Sequence, residues 1–215
     1  PTNFMDWRAE SQLLDGMSAF RTTSYTLTGR GDAVQINAAM VTGGFFDVLR
    51  ATPMHGRLLG ATEEQPGADR TVVLSHGFWQ RMFGADPSVV GTAIQLDGES
   101  YQVVGILRPG LEYPADVEMW APLAFTPQEL ATQRGAVYLD AIGRLRPGVG
   151  VEQADAEVCG TQGRVEREYP NANDGIGAQV LDLRESLVGN VQQPLYILFG
   201  AVGLGLLVAC ANVAG

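Results

Sequence analysis

Apolar and polar positions alternate with two different periods along the first 190 residues, and the periods divide that stretch into short elements. Phe4, Trp7, Leu13, Leu14, Met17 and Phe20 fall on roughly one helical face, which predicts a helix over residues 3–20. Tyr25 and Leu27 then alternate with threonines, Gly29-Arg30-Gly31-Asp32 supplies a turn, and Val34, Ile36, Ala38 and Met40 alternate on a return strand. Phe45, Phe46, Val48 and Leu49 predict a short helix that stops before Pro53 and Gly56. Residues 60–69 read as an acidic loop with Pro and Gly. A strand (71–74), a helix carrying Phe78, Trp79 and Phe83, and a turn at Asp86-Pro87 follow. Asp97-Gly98, between strands at 93–96 and 100–107, is the strongest hairpin signal in the chain. Arg108-Pro109-Gly110 ends the second of these, and Trp120-Ala121-Pro122-Leu123 reads as a short edge strand. The last soluble third has a β-α-β pattern: a strand over 137–145, a helix over 151–168 ended by Tyr169-Pro170, and a strand over 178–183. Two α/β parts thus flank a β-rich insertion, an α+β layout.

A different pattern begins at Pro194. From Leu195 to Gly215 there are 21 residues without a charge, and about 20 apolar residues span a hydrocarbon core about 30 Å thick. A buried core helix is the alternative, but such a helix shows polar positions at helical spacing, and 195–211 has none. Ala201, Gly205 and Ala209 recur every four residues, a small-residue stripe that lets a second membrane helix approach; compositional bias would produce it as well. Tyr196 stands where an interfacial aromatic is expected. We therefore expect the start of a transmembrane helix at 194–215.

Composition narrows the function classes. The formal net charge is −10, which opposes binding to nucleic acid or to an anionic lipid surface. All cationic residues are arginine, so neither a Walker A loop nor a Schiff-base lysine exists in this chain. The two cysteines, Cys159 and Cys210, lie in unlike surroundings far apart in sequence, so a mutual disulfide is not expected. Arg30-Gly31-Asp32 spells an adhesion tripeptide, which a hairpin turn explains without adhesion.

Taken together and in order, several short motifs resemble one family. They are Met5-Asp6-Trp7-Arg8, the stretch 41–49 (VTGGFFDVL), Gly56-Arg57, and Val73-Leu74-Ser75-His76-Gly77-Phe78-Trp79 with Arg81 and Phe83-Gly84. Asp86-Pro87, Val90-Gly91, Leu96-Asp97-Gly98, Val103-Val104-Gly105 and Trp120-Ala121-Pro122-Leu123 continue the series. Gly143-Arg144-Leu145-Arg146-Pro147-Gly148-Val149, Glu168-Tyr169-Pro170 and the terminal Ala209-Cys210-Ala211-Asn212-Val213-Ala214 close it. The set resembles the MacB-like periplasmic core domain of ABC-type permeases joined to an FtsX-type membrane segment, in the branch of duplicated permeases abundant in acidobacteria. Gly150 departs from the pattern, standing where the family usually has a Ser or Thr helix cap. Gly160 and Gly163 weaken the helix that follows by about 1 kcal/mol each relative to alanine.

The resemblance implies a four-helix permease whose large extracytoplasmic domain lies between its first and second helices. Residues 1–190 would be that domain. A porter-like α/β part (about 1–54 and 136–190) would be split by a β-rich part (55–135), and 194–215 would begin the second helix. It implies a separate ABC ATPase subunit or domain, a bacterial inner-membrane location, and a periplasmic adaptor or second permease copy as further partners. On this view the Leu183–Pro194 connector relays motion between membrane and domain. Efflux or mechanotransmission is one reading, a docking module that recruits a periplasmic partner such as a cell-wall hydrolase is another, and a membrane-anchored enzyme is the third.

No residue set points to catalysis, a cofactor or a metal. Ser75-His76 is the only Ser-His pair, and a helix cap explains Ser75 better than a nucleophile does. His55 and His76 are the only histidines, too few for a metal site without cysteines. Asp116 with Glu118, and Glu63 with Glu64, are carboxylate pairs in loop-like stretches, where a solvated surface is expected over acid/base work. Phe78, Trp79 and Phe83 have the spacing of a core-facing helix, with a hydrophobic contact for a substrate or partner as the alternative.

Overall fold

The computed structural model describes residues 1–29, 31–65, 67, 70–111 and 113–187. The chain divides into two compact units, Pro1–Ala178 and Gln179–Gly215. The expected transmembrane helix at 194–215 lies outside the described residues, within which no helix is long and apolar enough to cross a membrane.

The first unit is a mixed α/β fold. Helix α1 (Thr2–Glu10) leads into the long strand β1 (Leu14–Thr28), so the helix expected over residues 3–20 ends halfway. The reason lies at the junction, where the Glu157 carboxylate accepts bonds from Ser11 Oγ and from the backbone N–H groups of Gln12 and Leu13. Those N–H groups would otherwise have continued the helix. Leu14, Met17 and Phe20 then lie on a strand, and their helical spacing is a coincidence of pattern. Strand β2 (Val34–Val41) returns antiparallel to β1 in the register Phe20↔Val41 to Leu27↔Val34.

Helix α2 (Phe45–Val48) and strand β3 (Pro53–Gly56) come next. Strand β4 (Thr71–Leu74), helix α3 (His76–Phe83) and the hairpin β5 (Ala93–Leu96) to β6 (Glu99–Leu107) occupy the positions the pattern predicts. Strand β7 (Met119–Pro122) is not at an edge. It runs parallel to β2 on one side and antiparallel to β4 on the other. All four of its residues are buried, as a strand covered on both faces requires. Helix α4 (Pro127–Thr132), strand β8 (Asp140–Leu145), helix α5 (Val151–Glu168) and helix α6 (Pro170–Asn173) complete the unit.

The strand ladder closes on itself. Starting from β1, the pairings run to β2, β7, β4, β6 and β5, and β5 meets the far end of β1 at Leu27↔Leu96. Strands β8 and β3 hang off this circuit, on β1 and β6. Successive residues of a strand face opposite sides, and the core divides accordingly. Leu27, Ile36, Ala38, Val72, Leu74, Met119 and Ala121 pack with Phe78, Trp79 and Phe83 of α3. Phe20, Ala39, Val41, Val73 and Trp120 pack with Phe45, Phe46 and Val48 of α2. Gly105 is required where β3 and β6 meet: a Cβ there would stand 1.9 Å from the Arg57 carbonyl oxygen.

Two further expectations are corrected by the structure. The strand expected from residue 137 starts at Asp140, because Val137 is 77% exposed and has no sheet face to pack on. The strand expected over 178–183 is absent. Of the second unit, 179–187 are described, and 183–187 is helical. Asp182 caps that helix through the N–H groups of Arg184 and Glu185, which commits the segment to a turn.

Candidate functional site

The residues singled out from sequence fall into a group around α3 and a set of separately paired carboxylates. Ser75 caps α3, its Oγ accepting the Phe78 N–H at 3.1 Å, and its hydroxyl is thereby committed to the backbone. His76 begins the same helix, and its ring lies 5.6 Å from that of Trp79. His55, on β3, reaches the same indole, ring to ring at 5.5 Å. The two histidines therefore share Trp79 as a neighbour, a juxtaposition that their separation in sequence concealed. Phe78, Trp79 and Phe83 are buried in the first cluster, and the Trp79 N–H donates to the Asp86 carbonyl at 2.9 Å.

Glu63 and Glu64 have separate arginine partners. Glu63 is buried, accepts the Gly60 N–H at 2.9 Å and pairs with Arg57 at 2.6 Å. Burial alone would raise its pKa, but the Gly60 bond and the Arg57 charge outweigh burial and hold it low. Glu64 pairs instead with Arg8 of α1 at 2.9 Å. Glu118 pairs with Arg81 and accepts the Asn37 N–H at 3.1 Å. Among the described residues no group of three His, Cys, Asp or Glu side chains is placed to hold a metal ion.

Two arrangements stand out. The first is a polar clasp where the two ends of the first unit meet on α5. Gln162 points inward from the face that also buries Val158 and Val165, and it is only 3% exposed. Its oxygen accepts the Trp7 N–H of α1 at 3.1 Å, and its amide donates to the Ile176 carbonyl at 2.8 Å. Beside it Asn3 donates to Asn173 at 2.5 Å, both buried. Arg134 bonds Asn3 and Asp6, and its guanidinium lies 4.0 Å over the Tyr169 ring. Each bond in such a network is strengthened by exclusion of water, and each partner lost leaves a buried polar group unpaired. The clasp had a sequence signal that went unread: a glutamine at helical spacing between Val158 and Val165.

The second is a cleft of about 280 Å³ between β1, α2 and β8, lined by Asp15, Gly16, Met17, Gly44, Asp47, Val48 and Arg144. Arg144 spans it, its Nε donating to the Val48 carbonyl at 2.6 Å. Asp15 and Asp47 are exposed, so the cleft is an open, charged surface without a dry reaction chamber.

A family profile described as the MacB-like periplasmic core domain matches residues 3–159. Among solved structures, the fold is similar to the extracellular domain of the noncanonic ABC-type transporter YknZ from Gram-positive bacteria. That match has a TM-score of 0.58 at 16% identity, covering 84% of this chain and 87% of the other. It is also similar to the periplasmic region of MacB from Actinobacillus actinomycetemcomitans, with a TM-score of 0.58 at 14% identity over 77% and 73% of the two chains. At such identities the likeness is one of fold. No curated protein matches the chain.

Proposed function

The chain belongs to the family of MacB-like periplasmic core domains, and on that footing we propose that it is the extracytoplasmic part of an ABC-type permease subunit. In this role it couples ATP hydrolysis on a separate cytoplasmic subunit or domain to efflux or mechanotransmission across the bacterial inner membrane. Residues 194–215 then begin a membrane helix, and the 183–194 connector is where its motion enters the domain. The porter-like part is residues 1–54 and 136–190, with 55–135 inserted.

The clasp is the observation that supports this reading. A domain placed between two membrane helices has to bring its two chain ends together on one base. Here Gln162 holds α1 and Ile176 on α5, and the Asn3–Asn173 bond joins the two ends directly, α1 to α6. These three polar bonds then carry displacement of one end to the other without loss in a soft loop.

The test uses the full-length permease reconstituted with its ATPase. Gln162→Leu with Asn173→Ala opens the clasp, and we expect ATP hydrolysis to persist while transport falls. Transport at the native rate in that variant would refute coupling through α5. A gene with a lone membrane anchor and no ATPase alongside would refute the permease reading itself. Retention of a periplasmic hydrolase without transport would favour the docking alternative.

A further inference from the structure

Among the described residues, strand β8 is paired on one side only, with β1. The direction of its backbone groups follows from a bond just beyond it, in which the Arg146 N–H donates to the Leu13 carbonyl on the β1 side. Backbone groups alternate along a strand, so Arg144, Ile142 and Asp140 also turn theirs toward β1, while Leu145, Gly143 and Ala141 turn theirs outward. Ala141 and Gly143 are exposed and carry almost no side chain, so nothing bulky of their own shields this edge. Native sheets normally blunt such an edge with proline, lysine or a covering element. Within β8 none of the residues is proline or lysine.

The strand is also self-complementary. Two copies laid antiparallel about Ile142 place Ala141 opposite Gly143 of the second copy, and these are the residues whose backbone groups face outward. The same register places Asp140 opposite Arg144 of the second copy, twice by symmetry. Residues 140, 142 and 144 share one face of the strand, so both charge pairs form on that face. Arg144 uses its Nε on the Val48 carbonyl, which leaves its two Nη groups for a carboxylate. Exposed Val137 and Tyr138 continue the line beyond Asp140, toward Arg146 and Pro147 of the second copy.

We propose that the β8 edge is an interface between two copies of this chain, formed by antiparallel β8–β8 pairing centred on Ile142. It goes beyond the coupling role and does not depend on it. One six-residue strand pair buries much less than the roughly 1,200 Å² of a stable complex, so the contact is transient in dilute solution. It becomes populated when both copies are held in one assembly, where effective concentrations reach about the millimolar range.

Charge exchange tests this in the full chain by sedimentation equilibrium in detergent micelles. Asp140→Arg alone places arginine against arginine, and Arg144→Asp alone places aspartate against aspartate. Each should weaken self-association by about tenfold relative to the native chain. An equimolar mixture of the two variants places opposite charges together at both positions and should restore the native dissociation constant. The mixing step separates pairing from damage to the fold, since misfolded variants do not rescue each other. A native chain monomeric up to about 1 mM would overturn the proposal. So would single variants that associate like the native chain, or a mixture no tighter than either variant alone. Capture of an extended peptide at this edge by a chain that stays monomeric would overturn it as well.

Discussion

Replacing Glu157 with glutamine should weaken the hook that ends α1, and the structure gives the size of the effect. The carboxylate collects Ser11 Oγ at 2.7 Å, the Gln12 N–H at 2.8 Å and the Leu13 N–H at 3.3 Å. A glutamine amide has one oxygen, so its NH₂ group must face a donor. The Ser11 hydroxyl can rotate to accept, but a backbone N–H cannot, and either Gln12 or Leu13 loses its acceptor. A buried donor without a partner costs about 1–3 kcal/mol, and bonds to a charged acceptor are worth about 1.5–3 kcal/mol against about 1 for neutral ones. Gln12 is exposed and Leu13 only partly buried, so we expect a loss of about 1–2 kcal/mol near neutral pH.

The pH dependence gives a second check. Burial by itself raises the Glu157 pKa, but the bonds from Ser11, Gln12 and Leu13, with the nearby Arg146 charge, outweigh it and leave the folded value below the ordinary one. As pH falls, the unfolded chain binds this proton first. The stabilisation is therefore complete above the unfolded glutamate value of about 4.3 and is lost as pH falls through the folded value. The glutamine variant has no such proton, so the gap between the two proteins should close in acid. Glu63 and Glu129 also have lowered values, but they titrate in both proteins and cancel. Urea unfolding of residues 1–190, followed by tryptophan fluorescence at about pH 7 and about pH 3.5, measures both effects. A neutral-pH gap under about 0.5 kcal/mol, or a gap that stays constant in acid, would refute the reasoning.

The remaining predictions concern packing, capping and the alkaline limb. Gly105→Ala drives a methyl group onto the Arg57 carbonyl, backbone against backbone, and should cost about 3 kcal/mol or more in urea unfolding. A loss below about 1 kcal/mol would mean that β3 is not fixed on β6. Ser75→Ala removes the cap of α3 and should cost about 1 kcal/mol, with Ser75→Asp retaining most of it. Burial, helped by neighbouring Tyr101, pushes the Tyr25 hydroxyl well above its ordinary range. Unfolded tyrosine ionises at about 10, so the unfolded chain loses its proton first and stability should fall above about pH 10. Tyr25→Phe should make that limb shallower in unfolding curves taken between about pH 9 and 11, the remainder coming from Tyr113, Tyr138 and Tyr169, which are also raised.

Local signals were legible in proportion to how strongly one period or one turn residue determined them. Asp97-Gly98 located its hairpin, and an unbroken helical period located α5 to the residue. The junction at Ser11 was not legible, because the group that ends α1 is a carboxylate 146 residues away. Strand β7 read as an edge because four apolar residues say nothing of how many neighbours a strand has, and both neighbours come from elsewhere in the chain. The closed ladder escaped notice for the same reason. Ser75 could be read as a cap because its partner, the Phe78 N–H, is three residues away. The spacing of Gln162 marks it as a polar residue on a buried helix face, but its partners are not legible, because Trp7 and Ile176 reach it from opposite ends of the unit.

These unlike kinds of holding imply an order of opening. Helix α5 is tied to its surroundings by polar bonds to Gln162 and Glu157, each worth about 1–2 kcal/mol, and by a short apolar stripe of Ala154, Val158 and Val165 that belongs to neither large cluster. The circuit of strands is held by two apolar clusters in which Phe46, Leu74, Phe78, Leu96 and Trp120 are almost wholly buried. Burying each such side chain contributes about 1.5–3 kcal/mol, and within one cluster they are lost together. The chain should therefore yield first at the α5 attachments, with the ladder intact. Native-state hydrogen exchange reads this directly. The amides of Gln12 and Leu13, which depend on Glu157, should exchange through an opening at least about 2 kcal/mol cheaper than that protecting Val72, Val73 and Leu74. Strand β1 joins the two regions, pairing with β8 through its first half and with β2 through its second. If 12–13 and 72–74 were instead to open with equal free energies, α5 and the ladder would be one cooperative body, and the clasp could not act as a separate joint.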